Sequence, residues 1–132
     1  MSEKIKTRSE ISDEYKWNLD SLFKNEEEWS SAGEEIKKLL KKADAYRGKL
    51  NNPKTIREFF DYETVVERSV SDYYVYANLR LCEDITDERG QEMDGMANAV
   101  YAAVIQAFSF ASPEILSLPE DKLQALYESE EL

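Results

Sequence analysis

Apolar residues return every three or four positions along most of this chain, and that rhythm predicts helices. The first run is Trp29, Ala32, Ile36, Leu39, Leu40, Ala43 and Tyr46. Asn25 stands before it as an N-cap, and Glu28 lies three residues on, where a capping-box partner belongs. Lys37, Lys38, Lys41 and Lys42 load the far half, matching the negative end of the helix dipole, and Gly48 is the expected stop. The second run is Ile56, Phe59, Phe60, Val66, Val70, Tyr73, Ala77 and Leu81. It opens on Asn51-Asn52-Pro53, a cap followed by proline at the first helical position. No glycine or proline interrupts it, so one helix of roughly 40–45 Å is expected. The third run is Met93, Met96, Ala97, Val100, Val104, Ala107, Phe108 and Ala111. It starts at Thr86 or Asp87 and should end at Ser112-Pro113. Ser112 would cap a short piece over residues 113–116, and a last helix from near Pro119 would carry Leu123, Leu126 and Tyr127 on to residue 132.

The opening of the chain has no such rhythm. Residues 1–10 are polar, and residues 11–23 scatter Tyr15, Trp17, Leu19, Leu22 and Phe23 among polar positions. They read as an extended arm with a single turn near Asp20, its aromatic residues docking onto the helices. The domain reading is therefore an arm over 1–24 and a helical domain over 25–132. Short connections force neighbouring helices to run antiparallel. The fold class is all-α: an antiparallel up-down array of three main helices plus a short C-terminal helix.

Composition adds constraints. The 132 residues hold only 4 glycines and 3 prolines, which leaves little room for many tight strand turns. The net charge of −11 repels phosphate backbones and anionic headgroups, so neither nucleic acid nor a membrane surface is an expected partner. The single cysteine, Cys82, rules out an intramolecular disulfide and reads as a small buried hydrophobe. The first residues lack the apolar core of a signal peptide, and no run of 18 apolar residues occurs, so a cytoplasmic setting is expected. Some apolar residues lie off the main stripes: Val65, Tyr74 and Tyr76 in the second helix, Tyr101, Ile105 and Phe110 in the third. A helix apolar on most sides is usually buried on most sides. More protein, or a second copy of the chain, is expected to cover those faces.

The sequence contains no histidine. That removes Ser-His-Asp and Cys-His nucleophiles, H-E-x-x-H zinc sites and the Glu-x-x-His pairs of di-iron bundles. Glycine-rich phosphate cradles are absent as well. Glu83, Asp84, Asp87 and Glu88 cluster between the second and third runs, but their spacing is not that of a calcium loop, and acids are routine at helix starts. No catalytic residue and no metal ligand is assigned. Tyr73, Tyr74 and Tyr76 point three ways from one helix; Tyr73 joins the core stripe, and the other two diverge from it. Tyr74, Tyr76 and Arg80, one turn beyond Tyr76, are the candidates to face a substrate channel. The plainer reading gives the tyrosines a core or interface role and Arg80 a salt bridge.

Taken together, these residues resemble the beginning of oligoendopeptidase F, in the thimet-oligopeptidase-like (M3) family of zinc metallopeptidases. The carriers are Tyr15, Trp17, Leu19, Leu22 and Phe23 followed by Glu28-Trp29; Tyr46, Gly48 and Leu50; and Tyr74, Tyr76, Ala77, Leu79 and Arg80 with Asp84 and Asp87 after them. The stretch from Phe108 through Pro113-Glu114 to Leu118-Pro119 fits too. The resemblance implies a helical wall and lid domain of a cytoplasmic enzyme that cleaves short peptides. It also implies zinc, held by two His of an H-E-x-x-H helix and a downstream Glu in a catalytic domain outside this chain. No cofactor is implied within the 132 residues, which would be inactive alone. The expected partner is the remainder of the peptidase, with peptide substrate engaged only by the full-length enzyme. The competing reading is a free-standing acidic helical interaction module.

Overall fold

A computed structural model describes residues 4–130 and 132. Among them every regular element is helical. The α-helices are α1 (Glu26–Leu40), α2 (Pro53–Glu83), α3 (Glu88–Phe108), α4 (Ala111–Leu116) and α5 (Glu120–Tyr127). Tight 3-10 turns cover Arg8–Glu10, Asp13–Tyr15, Leu19–Ser21 and Ala43–Tyr46. The long α2 packs along both α3 and α1, and α1 also touches α3. The three main helices thus form the antiparallel up-down array, with α4 and α5 folding back over the start of α2.

The helix starts follow local chemistry. The Asn25 side chain accepts from the Glu28 amide at 2.9 Å, and Asn52 accepts from the Thr55 amide at 3.0 Å. The Asp87 carboxylate accepts from the Arg89 and Gly90 amides. Each cap satisfies amides that the first helical turn leaves unpaired.

The stops differ from expectation. The first helix ends at Leu40, and the expected continuation to Tyr46 is a separate 3-10 turn. Gly48 follows at φ +77°, a conformation that favours glycine. The third helix breaks at Ser109, ahead of the Ser112-Pro113 pair, which sits in the first turn of α4. Proline is tolerated there because first-turn amides have no intrahelical partner. The last helix ends at Tyr127, short of 132.

The core joins Trp29, Ile36, Leu50, Ile56, Phe59, Val66, Tyr73, Met93 and Ala97. Rings dominate its centre. Trp29 stacks on Tyr73 with centroids 4.4 Å apart and planes within 1°. Its indole nitrogen donates to the Tyr73 carbonyl at 2.8 Å, so the one polar atom of the ring is satisfied. Gly33 makes that stack possible. A Cβ there would lie 2.8 Å from the Tyr73 ring.

Several expectations about burial are corrected. Phe60 and Met96 fall on the apolar stripes but are exposed, while Tyr62 and Tyr76 take core positions. Tyr62 reaches across to donate to the Leu39 carbonyl at 2.6 Å, which anchors it inward. Cys82 is exposed rather than buried, one residue before the C-terminal end of α2. Residues 11–23 hold two 3-10 turns instead of one. Leu19, Leu22 and Phe23 pack on the core, but Tyr15 and Trp17 stay exposed. Finally, Glu88–Leu116 is long and apolar enough to cross a bilayer by length and composition, its most apolar 18-residue window having mean hydropathy 1.4. Alanines interleaved with larger apolar residues raise the average without forming a continuous apolar run. One side of that stretch, through Met93, Ala97, Val100, Val104 and Phe108, is buried against the bundle.

Candidate functional site

Two positions apart on a helix means about 200° of rotation, so Tyr74 and Tyr76 leave α2 on nearly opposite sides. Tyr76 points toward α1 and the arm. Its ring meets Phe23 edge-on at 5.4 Å and lies 6.5 Å from Trp29. It is buried, which corrects the expectation that it diverges from the core stripe. The physical reason is that α1 and residues 19–23 together cover a second side of α2. Burial raises the Tyr76 hydroxyl above the usual tyrosine range, partly countered by the nearby Arg80 charge. The hydroxyl is therefore neutral near pH 7.

Arg80 sits one turn further on, partly buried, with no hydrogen bond or ion pair among the described residues. The expected salt bridge is not formed. Tyr76 and Arg80 line a shallow cavity of about 340 Å³ together with Arg8, Trp17, Lys24 and Glu83. Its rim is held by charge pairs. Arg8 bridges to Glu83, whose side chain is 6% exposed. Arg89 grips Glu26 on α1 and Glu92 on its own helix, and these contacts hold its guanidinium well above its ordinary pKa. Two of the four clustered acids are thus explained as caps and turn formers. Asp87 caps α3, and Asp84 accepts from the Thr86 amide and hydroxyl.

Tyr74 faces away from that cavity. It packs against Tyr101 of α3 with centroids 5.7 Å apart, on a separate groove of about 710 Å³ between α2 and α3. The structure therefore brings Tyr76 and Arg80 together and leaves Tyr74 out. The groove also holds Glu63, which pattern reading missed. Burial, and then the neighbouring Glu67 charge, raise the Glu63 carboxyl above its ordinary value. A helical spacing of 63, 67, 70 and 74 on one face was the signal that could have found it. A second missed residue is Glu114. Its carboxylate accepts from the Gly48 and Leu50 amides, both at 2.9 Å, and ties α4 to the loop before α2.

Among the described residues no three His, Cys, Asp or Glu side chains gather to hold a metal ion. With no histidine in the sequence, the two-His-plus-Glu zinc set that the resemblance implies does not fit this chain.

Comparison with known proteins gives these arrangements a context. No family model matches the chain. Curated relatives do. Oligopeptidase PepF of Bacillus subtilis is 32% identical over 127 residues, covering 95% of this chain and 19% of that protein. Group B oligopeptidase PepB of Streptococcus agalactiae is 31% identical over 119 residues, covering 89% of this chain and 20% of that protein. The chain matches an N-terminal segment of oligoendopeptidase F-type peptidases. A chromosomal oligoendopeptidase F of Lactococcus lactis is similar at 25% identity over 114 residues. The chain thus spans about a fifth of the length of these peptidases. A crystal structure of a candidate peptidase from Chlamydophila abortus shares the fold. Its TM-score is 0.86 at 22% identity, covering 98% of this chain and 22% of that one. Against the oligoendopeptidase F-type relatives, the matched length takes in all three main helices.

Proposed function

We propose that this chain is the non-catalytic, helical wall-and-lid segment of an oligoendopeptidase F-like zinc peptidase that hydrolyses short peptides. The observation that carries the reading is identity of 31–32% sustained over 89–95% of the chain, within relatives about five times its length. Chemistry agrees with the division of labour. A zinc hydrolase needs histidine or an equivalent ligand set and one open coordination position, and this sequence has no histidine to offer. Zinc, the general base and peptide turnover are therefore assigned to the rest of the polypeptide.

A wall needs shape and rigidity. The α2 helix runs 31 residues without a break, its side chains locked by stacked rings at one end and the Phe59, Tyr62 and Phe108 cluster at the other. A wall also needs a surface that meets the rest of the enzyme. Val65, Tyr101 and Ile105 are each about half exposed on α2 and α3, which suits a covered face better than a solvated one. Tyr76 and Arg80 share a cavity and remain the pair to face substrate; Tyr74 belongs to the outer groove.

The test is a matched pair of assays. The coding sequence is read beyond codon 132, the full polypeptide and the 132-residue chain are purified, and both are given a quenched fluorescent oligopeptide with and without chelator. The reading expects an H-E-x-x-H motif downstream, chelator-sensitive cleavage by the full polypeptide and none by the chain. Chelator-sensitive cleavage by the chain alone, or a stop codon at 133, overturns it. The second outcome would favour the free-standing acidic interaction module.

A further inference from the structure

The groove between α2 and α3 has an unusual lining. Its floor is apolar, from Val70, Val104 and Phe108, and Ile105 forms one lip. Tyr74 and Tyr101 meet across it at 5.7 Å. At one end stand Glu63 and Glu67, one helical turn apart on α2. No lysine or arginine lines this groove. Neither glutamate takes a hydrogen bond or ion pair among the described residues, although Glu63 is half-buried. Some acids on this surface hold a cation one turn along their own helix: Glu34 holds Lys37, Glu35 holds Lys38, and Asp61 holds Arg57. Two adjacent carboxylates beside an apolar floor, with no cation supplied from within, leave a charge that a partner would complement. The tyrosine pair adds electron-rich faces that favour a guanidinium or ammonium.

We propose that this groove seats an amphipathic helix that carries an arginine or lysine at the edge of its apolar face, supplied by the remainder of the peptidase polypeptide. The cation lies between Glu63 and Glu67, and the apolar face covers Ile105, Val104 and the tyrosine rings. Helix-in-groove recognition uses anchors at one-turn spacing, and the groove's own residues repeat at that spacing on both walls: 63, 67, 70 and 74 on α2, and 98, 101, 105 and 108 on α3. The proposal rests on the peptidase reading only for the origin of the helix.

Two arms test it. In the first, the 132-residue chain is titrated with a synthetic leucine–lysine amphipathic helix of about five turns. The expected result is saturable one-to-one binding that weakens about tenfold in the double variant Glu63→Gln/Glu67→Gln. The control Glu34→Gln/Glu35→Gln, with the same change in net charge on α1, should shift affinity less than about twofold. Circular dichroism checks that all variants keep their helices. Equal loss in both variants would mean that only the overall negative charge attracts the peptide, and the proposal falls. It falls as well if the peptide does not bind, or if the groove is already filled in a dimer of the chain or by vesicle lipid.

In the second arm, amide exchange is compared between the full polypeptide and the chain. Slower amide exchange over residues 63–74 and 98–109 in the full polypeptide supports an internal helix as the occupant; unchanged exchange overturns that origin. Because neither arm reads peptidase activity, an inactive full polypeptide with a filled groove would sink the peptidase reading and leave this one standing.

Discussion

The two sides of α2 are built from the same residue types to opposite ends. On the side facing α1, Tyr73 and Tyr76 are sealed under Trp29 and Phe23, and the Trp29 indole nitrogen is hydrogen-bonded. On the side facing outward, Tyr74 and Tyr101 touch each other and then solvent. Ring type alone does not decide burial; what lies opposite does. The inner side has the close-packed, polar-satisfied character of a finished core. The outer side has apolar rings, open carboxylates and no cover, which is the character of a surface meant to meet something.

The contrast predicts a graded series. The largest effect should come from Trp29→Ala, which removes the stacked ring and the second hydrogen bond that its indole gives the helical Tyr73 carbonyl. A loss of about 3–5 kcal/mol in urea unfolding is expected, and a loss below about 1 kcal/mol would mean the stack carries little of the fold. Gly33→Ala comes next. A methyl would press on Tyr73 at 2.8 Å, and that ring is pinned by Trp29 and cannot swing aside. Overpacking of about 1–3 kcal/mol should outweigh the gain in helix propensity from alanine, about 1 kcal/mol. If the variant is more stable than the parent, the close approach is not rigid.

Glu114→Gln should cost about 1 kcal/mol, because one charged acceptor serving two amides is replaced by a single neutral one. An unchanged urea midpoint would show that solvent serves those amides equally well. Alkaline pH should then sharpen the inner side. Burial raises the hydroxyls of Tyr62, Tyr73 and Tyr76 above the ordinary value of 10.0. The unfolded chain releases those protons first, so stability is full below that value and falls as pH rises through it and beyond. Tyrosinate absorbance from these three rings should appear only above 10.0 or when the protein unfolds; its appearance below that value in the folded protein would refute the sealing. The smallest effects belong to the outer side. Tyr101→Ser and Ile105→Ser should move stability by no more than about 0.5 kcal/mol in the chain alone. A loss of several times that would show the outer face already packed.

Much of the architecture was legible because it depends on local signals. The Asn25, Asn52 and Asp87 starts follow from side chains that reach only three residues ahead. The spacing of apolar residues gave three main helices and their order. What stayed hidden depends on partners distant in sequence. Phe60 and Tyr62 differ by two positions, and it is the Leu39 carbonyl, 23 residues back, together with the Tyr46 and Phe108 rings that make Tyr62 the inward one. Tyr76 lies off the main apolar stripe, and its burial follows from Phe23 and Trp29, which cover it from outside α2. The same limit holds for the candidate site. Tyr76 and Arg80, one turn apart, were readable as a pair. The separation of Tyr74 from them was readable as an angle, but its pairing with Tyr101 and Glu63 needed the register of α3 against α2.

The Glu114 clasp has a consequence for the order of folding events. Its two amide partners lie 64 and 66 residues earlier in the chain, across the whole α2–α3 hairpin. Closing a loop that long before the hairpin exists carries an entropy penalty that the two bonds alone would not offset. The clasp should therefore close after the transition state, once the hairpin has brought its ends together. Glu114→Gln would then accelerate unfolding and leave the folding limb of a chevron unmoved; a slowed folding limb would place the clasp in the nucleus. On that reading the carboxylate serves as a catch, giving a segment whose contacts are mostly between neighbouring helices a longer lifetime once folded.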